Sequence, residues 1–241
     1  MLTPERKNEL RDRYLRVCEN IEAARLRRGT GVPVTLLAAT KTVPEEEVLY
    51  LVEECGLRLC GENHAQEFTA KYDGVTAAGA RMDFIGHLQT NKVRVVAGRA
   101  GLILSVDSVR LAAEIDSRCR KMGVTQDVLV EINIGEEDAK SGVCPDCFDD
   151  FLGRLGEFSA LNVRGIMTMA PKCEKIEDFR AYLRKSYHIY LDFLRKNTHN
   201  IGESVLSMGM SDSFECAVEE GSTMVRVGSA IFGARSYPQP V

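Results

Sequence analysis

Eight short apolar runs, each followed by a segment of helical character, recur along almost the whole chain, and this alternation limits the fold more than any other feature. Apolar runs of about 4–8 residues bounded by glycine or proline read as buried strands, while apolar residues spaced three and four apart read as helices. The strand signals are the run from Thr35 to its break at Pro44, then Leu57–Gly61, Met82–Gly86, Leu102–Val106, Asp127–Asn133, Val163–Met169, Val205–Met208 and Met224–Val227. Helical signals fall between them at Glu45–Cys55, from about Asn63, at Leu88–Ala97, at Cys144–Phe158 and at Ile176–Lys196. Another follows Asp107 or Ser108, either of which suits a helix cap, and its expected buried face is Leu111, Ile115, Cys119 and Met122. Phe179, Leu183, Ile189 and Phe193 give the last of these segments its stripe.

Such a series predicts an α/β fold, a single closed parallel (β/α)8 barrel of the TIM type, better than an open doubly wound sheet. Residues of about 4–29 form an amphipathic segment with Leu10, Tyr14, Val17, Cys18 and Ile21 on one side, an extra N-terminal helix expected to pack on the barrel and carry no chemistry. The barrel should then occupy about 33–235, with no linker interrupting it and no room for a second domain after the eighth strand.

A net charge of −4 offers no general attraction to phosphate backbones or anionic lipid, so neither nucleic acid nor membrane is expected as a partner. No apolar stretch approaches the roughly 20 residues that span a bilayer, and the charged first segment is unlike a secretory signal. A cytoplasmic protein is the expectation. The eight cysteines, scattered through a chain of this kind, are therefore read as reduced thiols. Cys144 and Cys147 have CxxC spacing, but no second ligand pair follows to complete a zinc site.

In a barrel, chemistry belongs to the carboxyl ends of the strands. Those ends carry Lys41, then Glu62-Asn63-His64, then His87 with Gln89 and Asn91, then Asp107-Ser108, Asn133, Thr168, Ser207 to Ser211, and Arg226 to Ser229. Taken singly, each has a structural explanation: Asn63 and Ser108 as caps, His87 as a core histidine, Asn133 as a turn residue, Lys41 as a solvated strand exit. The segments after the seventh and eighth strands supply small hydroxylated residues just ahead of helices, where barrels often hold phosphate. Neither a GxxxxGK[ST] nor a strand-linked GxGxxG segment is present, which argues against the usual nucleotide cradles. A lysine facing a phosphate site suits a ligand that presents an aldehyde and a phosphate together, as pyridoxal phosphate does. A Schiff-base aldolase acting on a sugar phosphate is the alternative, but no carboxylate or tyrosine beside Lys41 stands out as its proton shuttle.

The segments Leu36–Thr42, Gly61-Glu62-Asn63, Phe84–Lys92, Ser141-Gly142, Arg164–Met167, Leu206–Ser211 and Val225–Gly233 closely resemble those of the pyridoxal-phosphate homeostasis proteins, in order and over nearly the whole chain. That resemblance implies a barrel similar to the N-terminal domain of alanine racemase, with pyridoxal 5'-phosphate, a vitamin B6 form, as cofactor. It further implies Lys41 as the residue of the internal aldimine, Arg226 facing the pyridine nitrogen, Asn63 near the ring, and Ser207, Ser211, Gly228 and Ser229 around the phosphate. Where the family often has threonine this chain has Ser229, which keeps the hydroxyl.

An arginine at the ring nitrogen disfavours a second positive charge there and so handicaps carbanion chemistry. Alanine racemases also draw a second base from a carboxyl-terminal domain. The expectation is thus a non-catalytic protein of pyridoxal phosphate homeostasis and delivery, monomeric or weakly dimeric, with pyridoxal-phosphate-dependent apo-enzymes as recipients. A weak amino-acid racemase using Lys41 and a second base such as His87 is the alternative, and an interaction module with a vestigial site is the third. Lys92 and Lys140 are competing amines, Lys140 as a transient second docking point on the rim.

Overall fold

The computed structural model describes residues 2–196 and 204–234. Within them β1 (Thr35–Ala39), β2 (Leu59–Glu62), β3 (Arg81–Phe84), β4 (Ile103–Val106), β5 (Gln126–Ile132), β6 (Leu161–Thr168), β7 (Val205–Ser207) and β8 (Met224–Val227) pair in chain order, all parallel. The sheet closes because β1 pairs with β8 as well as β2, with Leu37 opposite Arg226 and Ala38 opposite Val227. This is the expected (β/α)8 barrel. Its expected limit near residue 235 lies outside the described residues.

Alternation along each strand divides the apolar residues into two layers. Leu37, Leu59, Leu102, Leu104, Leu129 and Met167 fill the barrel interior. Their neighbours in sequence, such as Ala38, Cys60, Ile103, Val128 and Ile166, pack outward against the helices. Those helices are α2 (Glu45–Cys55), α3 (Ala65–Ala77), α4 (Val93–Val96), α5 (Val109–Met122), α6 (Phe148–Leu155), α7 (Ile176–Lys196), α8 (Phe214–Glu219) and α9 (Ser229–Phe232). Of the two residues expected to cap α5, Ser108 does so, its hydroxyl accepting from Leu111 N–H at 3.3 Å. β6 makes a register shift against β5 between Val128 and Leu129, where Gly165 has φ +145° and its missing Cβ would lie 1.9 Å from the Val205 carbonyl oxygen. Only glycine fits so close an approach.

α1 (Pro4–Arg28) starts on a cap by Thr3 with Pro4 in its first turn, and buries Leu10, Tyr14, Val17, Ile21 and Ala24 against α2, α8 and α9. It therefore leans on the helices that flank the seam between β8 and β1. Cys18, expected on the buried stripe, is only partly covered.

Several expectations need correction. Leu88–Ala97 is not one helix but a 3-10 turn, Thr90–Lys92, leading into the single turn of α4. Cys144–Phe158 likewise divides into a 3-10 turn over Pro145–Cys147 and then α6, since proline suits a first turn and not an interior. Met122 is 41% exposed, because α5 ends there and Gly123 turns the chain away at φ +68°. Cys144 and Cys147 are not reduced thiols but are joined as a disulfide. In α7 the buried face includes Ser186 and Tyr190 with Leu183 and Phe193, while Phe179 and Ile189 are only half-buried. No helix among the described residues is long and apolar enough to cross a membrane.

Candidate functional site

The carboxyl ends of the strands open on a cleft of about 420 Å3, lined by Ala39, Lys41, Asn63, Met210, Ser211 and Arg226 and by the Gly228-Ser229 turn. This volume is in the range of small-molecule sites. A second hollow adjoins it and shares Lys41 and Asn63, adding His64, His87, Gln89 and Lys92. Lys41 stands between the two.

Lys41 is the second residue after β1, and the chain turns sharply beyond it. Arg226 comes from the middle of β8, and its parity on the strand points it into the barrel. There it is 5% exposed, donating through Nη1 to Ser207 Oγ at 2.7 Å and through Nη2 to the Thr168 carbonyl oxygen at 2.9 Å. Burial lowers Arg226 to about 10, opposed by the charge of Glu131. Glu131 shares the inward face of β5 with Leu129, and its carboxyl is pushed up to about 7, by burial first and by Asp107 second, with Arg226 acting against both. A buried cation and a buried acid thus share the barrel interior beneath the cleft.

The loop after β7 and the turn after β8 meet at Ser211. Its hydroxyl accepts from Gly228 N–H at 3.2 Å and from Ala230 N–H at 3.3 Å, tying the two segments into one concave wall. Gly209 carries φ +94° in that loop, and its carbonyl accepts from Arg226 N–H at 3.1 Å. Ser207 is fully buried and its hydroxyl is engaged by Arg226, so it supports the arginine and does not line the cleft. On the opposite wall, Asn63 has a buried amide oxygen with no hydrogen-bond partner among the described residues. An orphaned polar atom of that kind is costly unless a ligand completes it.

The remaining rim residues behave differently. His87 is not a core histidine: it is largely exposed, with Nδ1 3.6 Å from Asp107 Oδ2 and 3.4 Å from Ser141 Oγ. Asn133 organises the loop after β5, donating to the Glu137 carbonyl at 2.9 Å, as a turn residue does. Lys140 is ion-paired with Glu137 in that same loop. Among the described residues no cluster of histidine, cysteine and acidic groups is placed to hold a metal ion.

Two contributors escaped the sequence reading. Arg6 of α1 lines the cleft, so the first helix does reach the site: its guanidinium donates to Glu47 at 2.9 and 2.7 Å and to the Phe232 carbonyl at 2.8 Å. It pins the start of α2 to the end of α9. Lys71, a buried lysine of α3, was also missed; it sits behind the Lys41 turn, bonded to Glu62 at 2.7 Å.

Fold and cleft together define a ligand-binding barrel of the alanine racemase N-terminal type, and the family model described as "Alanine racemase, N-terminal domain" matches residues 16–236. Solved alanine racemases share the fold at low identity: one from Clostridium difficile superposes with a TM-score of 0.70 at 16% identity, over 96% of this chain and 57% of that one. Nearer relatives are more specific. The pyridoxal phosphate homeostasis protein of Aquifex aeolicus is 42% identical over 94% of this chain and 98% of its own length, and that of Escherichia coli is 34% identical over 95% and 98%. PipY of Synechococcus elongatus, solved with pyridoxal phosphate bound, superposes with a TM-score of 0.79 at 26% identity, over 93% of this chain and all of that one. The chain belongs to the pyridoxal phosphate homeostasis protein family.

Proposed function

We propose that this protein binds pyridoxal 5'-phosphate in the cleft, attaches it at Lys41, and serves in the cytoplasm to hold and deliver it to enzymes that require it. The observation that carries the reading is the placing of Lys41 and the Ser211–Gly228–Ser229 wall on one cleft, which Asn63 with its orphaned oxygen also lines. The residues present fit the group. Bound pyridoxal phosphate supplies an aldehyde for amine capture and, where its ring nitrogen is protonated, an electron sink.

Lys41 Nζ would bond to the aldehyde carbon, with the carbonyl oxygen leaving as water. Ser211, Gly228 and Ser229 would hold the phosphate, and Asn63 would meet the ring. Arg226, charged at neutral pH and fastened to Ser207 and the Thr168 carbonyl, would meet the ring nitrogen and would disfavour a second positive charge there. Such a residue suits retention of the cofactor and weakens its use as an electron sink.

The test is borohydride reduction of the holoprotein followed by peptide mapping. Label on the Lys41 peptide, and loss of the visible absorption band in Lys41→Ala, are the expected results; label on Lys92 or Lys140 sinks the assignment. Turnover of any amino acid in a panel at an ordinary enzyme rate, roughly 1 to 1000 per second, would contradict the carrier role.

A second reading, weak amino-acid racemisation, draws on the His87–Asp107 contact, since a carboxylate beside a histidine orients it as an acid or base. If that reading holds, His87→Ala abolishes interconversion of the amino-acid enantiomers and leaves cofactor bound; racemisation that persists in the variant removes His87 from the mechanism.

A further inference from the structure

The turn that presents Lys41 has an unusual backbone. Thr42, the next residue, has φ +62°, a left-handed conformation that a β-branched side chain rarely adopts. Such a conformation persists only where surrounding groups over-determine it. Here they do. Thr42 N–H donates to Glu67 Oε2 at 2.7 Å. Thr40 Oγ1 donates to Glu62 Oε1 at 2.7 Å, and Lys71 Nζ donates both to that oxygen at 2.7 Å and to the Thr40 carbonyl at 2.8 Å. The residues on both sides of Lys41 are thus fastened by three side chains of β2 and α3, through backbone and hydroxyl groups.

The fastening is buried where it matters. Glu62 is fully buried and Lys71 is 8% exposed. Glu62 Oε2 has no hydrogen-bond partner among the described residues, and Lys71 Nζ lies 3.6 Å from Glu67 Oε2. Burial raises Glu62, while the Thr42 N–H and the Lys71 charge hold Glu67 below its ordinary range against its own burial. A buried carboxyl and a buried ammonium, with a half-buried second carboxyl beside them, are an expensive way to make a loop, since a buried charge pair seldom stabilises more than an apolar substitute. Their reach, from α3 to the two residues flanking Lys41, gives them a use.

We propose that Lys71, Glu62 and Glu67 form a positioning clamp that holds the β1–α2 turn in the left-handed conformation presenting Lys41 to the cleft. The claim rests on the reading of Lys41 as the amine that captures the ligand's aldehyde. The clamp touches no ligand; it acts through the turn. Its loss lets the turn relax toward ordinary backbone angles and swings Lys41 from its approach, while the phosphate wall, built from the segments after β7 and β8 and not bonded to the clamp, is undisturbed.

The rate of capture in a set of variants, with one affinity, tests this in the full-length protein. Glu67 is the variant site of choice, being the least buried member. Covalent capture of pyridoxal phosphate by the apo-protein, followed by its visible absorbance, should slow about 100-fold in Glu67→Ala, as misplacement of about 1 Å does to reacting groups. Glu67→Gln, which keeps an acceptor for Thr42 N–H, should capture at close to the wild-type rate. Adding Thr42→Gly to Glu67→Ala should restore much of the loss, because glycine adopts positive φ without strain. Affinity for pyridoxine 5'-phosphate, which has the ring and phosphate but no aldehyde, should stay within about twofold throughout. Wild-type capture in Glu67→Ala, or equal losses of capture and pyridoxine phosphate affinity, overturns the clamp. Lys41→Ala, run beside them, separates the two readings: capture that survives it brings down the Lys41 assignment and the clamp together, whereas capture lost there but kept in Glu67→Ala brings down the clamp alone.

Discussion

Arg226→Met is expected to cost about 3–5 kcal/mol of stability near pH 8, the range for removing one partner of a buried charge pair. The side chain lost is 5% exposed and satisfies both Ser207 Oγ and the Thr168 carbonyl; methionine fills some of the volume but leaves that carbonyl bare. The larger consequence falls on Glu131. Its carboxyl already sits at about 7, raised by burial and by Asp107 and restrained by Arg226. An acid raised in the folded state contributes stability that is complete below its unfolded value and is lost as pH rises through the folded one. In the wild-type protein that loss spans pH from about 4.5 to about 7.

Without Arg226 the folded value climbs further, so the decline continues above pH 7. At pH 5, where Glu131 is protonated with or without the arginine, the variant should be much less impaired. Urea unfolding at pH 5 and pH 8 measures both, and an equal deficit at the two pH values would refute the coupling. Combining Arg226→Met with Glu131→Gln should recover about 1–3 kcal/mol at pH 8, the size expected of neighbouring groups in one network.

The sequence made the barrel legible because its strands are buried on both faces and so read as continuous apolar runs. β8 and α2 coincide with their expected limits, Met224–Val227 and Glu45–Cys55, each bounded by a clear breaker such as Gly56. Where apolar residues were sparse, periodicity overran the true helix. Leu88–Ala97 and Cys144–Phe158 both begin as 3-10 turns, the second because Pro145 and the Cys144–Cys147 bond shape its start. The residues of the cleft were legible for a different reason: Lys41, Ser211, Gly228 and Arg226 follow or occupy strands, so topology alone gathers them. Ser207 shows the limit of that logic, since strand parity turns its hydroxyl to Arg226 and not to the cleft. Arg6 and Lys71 were hidden because their roles depend on one helix lying against another element. Arg6 reaches Glu47 across 41 positions and Phe232 across 226, and no local pattern records such contacts.

Gly228→Val should weaken binding of pyridoxal phosphate about 100-fold, which is near 2.7 kcal/mol, and it should do so through the phosphate. A Cβ at this position would lie 3.1 Å from the Ala39 carbonyl oxygen and 3.4 Å from Ala39 Cβ. Alanine is therefore tight but tolerable, whereas the two methyl groups of valine must displace either the end of β1 or the turn into α9. The end of β1 is the stiffer of the two, being paired on both sides, with Ala39 opposite Gly61 and Ala38 opposite Val227. The turn is consequently the part that moves, and with it the Gly228 and Ala230 N–H groups that Ser211 now gathers at 3.2 and 3.3 Å. Pyridoxal, which lacks the phosphate, gives the control: its affinity should fall far less, because Lys41 and Asn63 follow β1 and β2 and keep their places. Gly228→Ala should lie between wild type and valine for pyridoxal phosphate. Parallel losses for the phosphorylated and unphosphorylated aldehydes would mean that the substitution had disturbed the strand bearing Lys41 and that the wall of Ser211, Gly228 and Ser229 is not what recognises the phosphate.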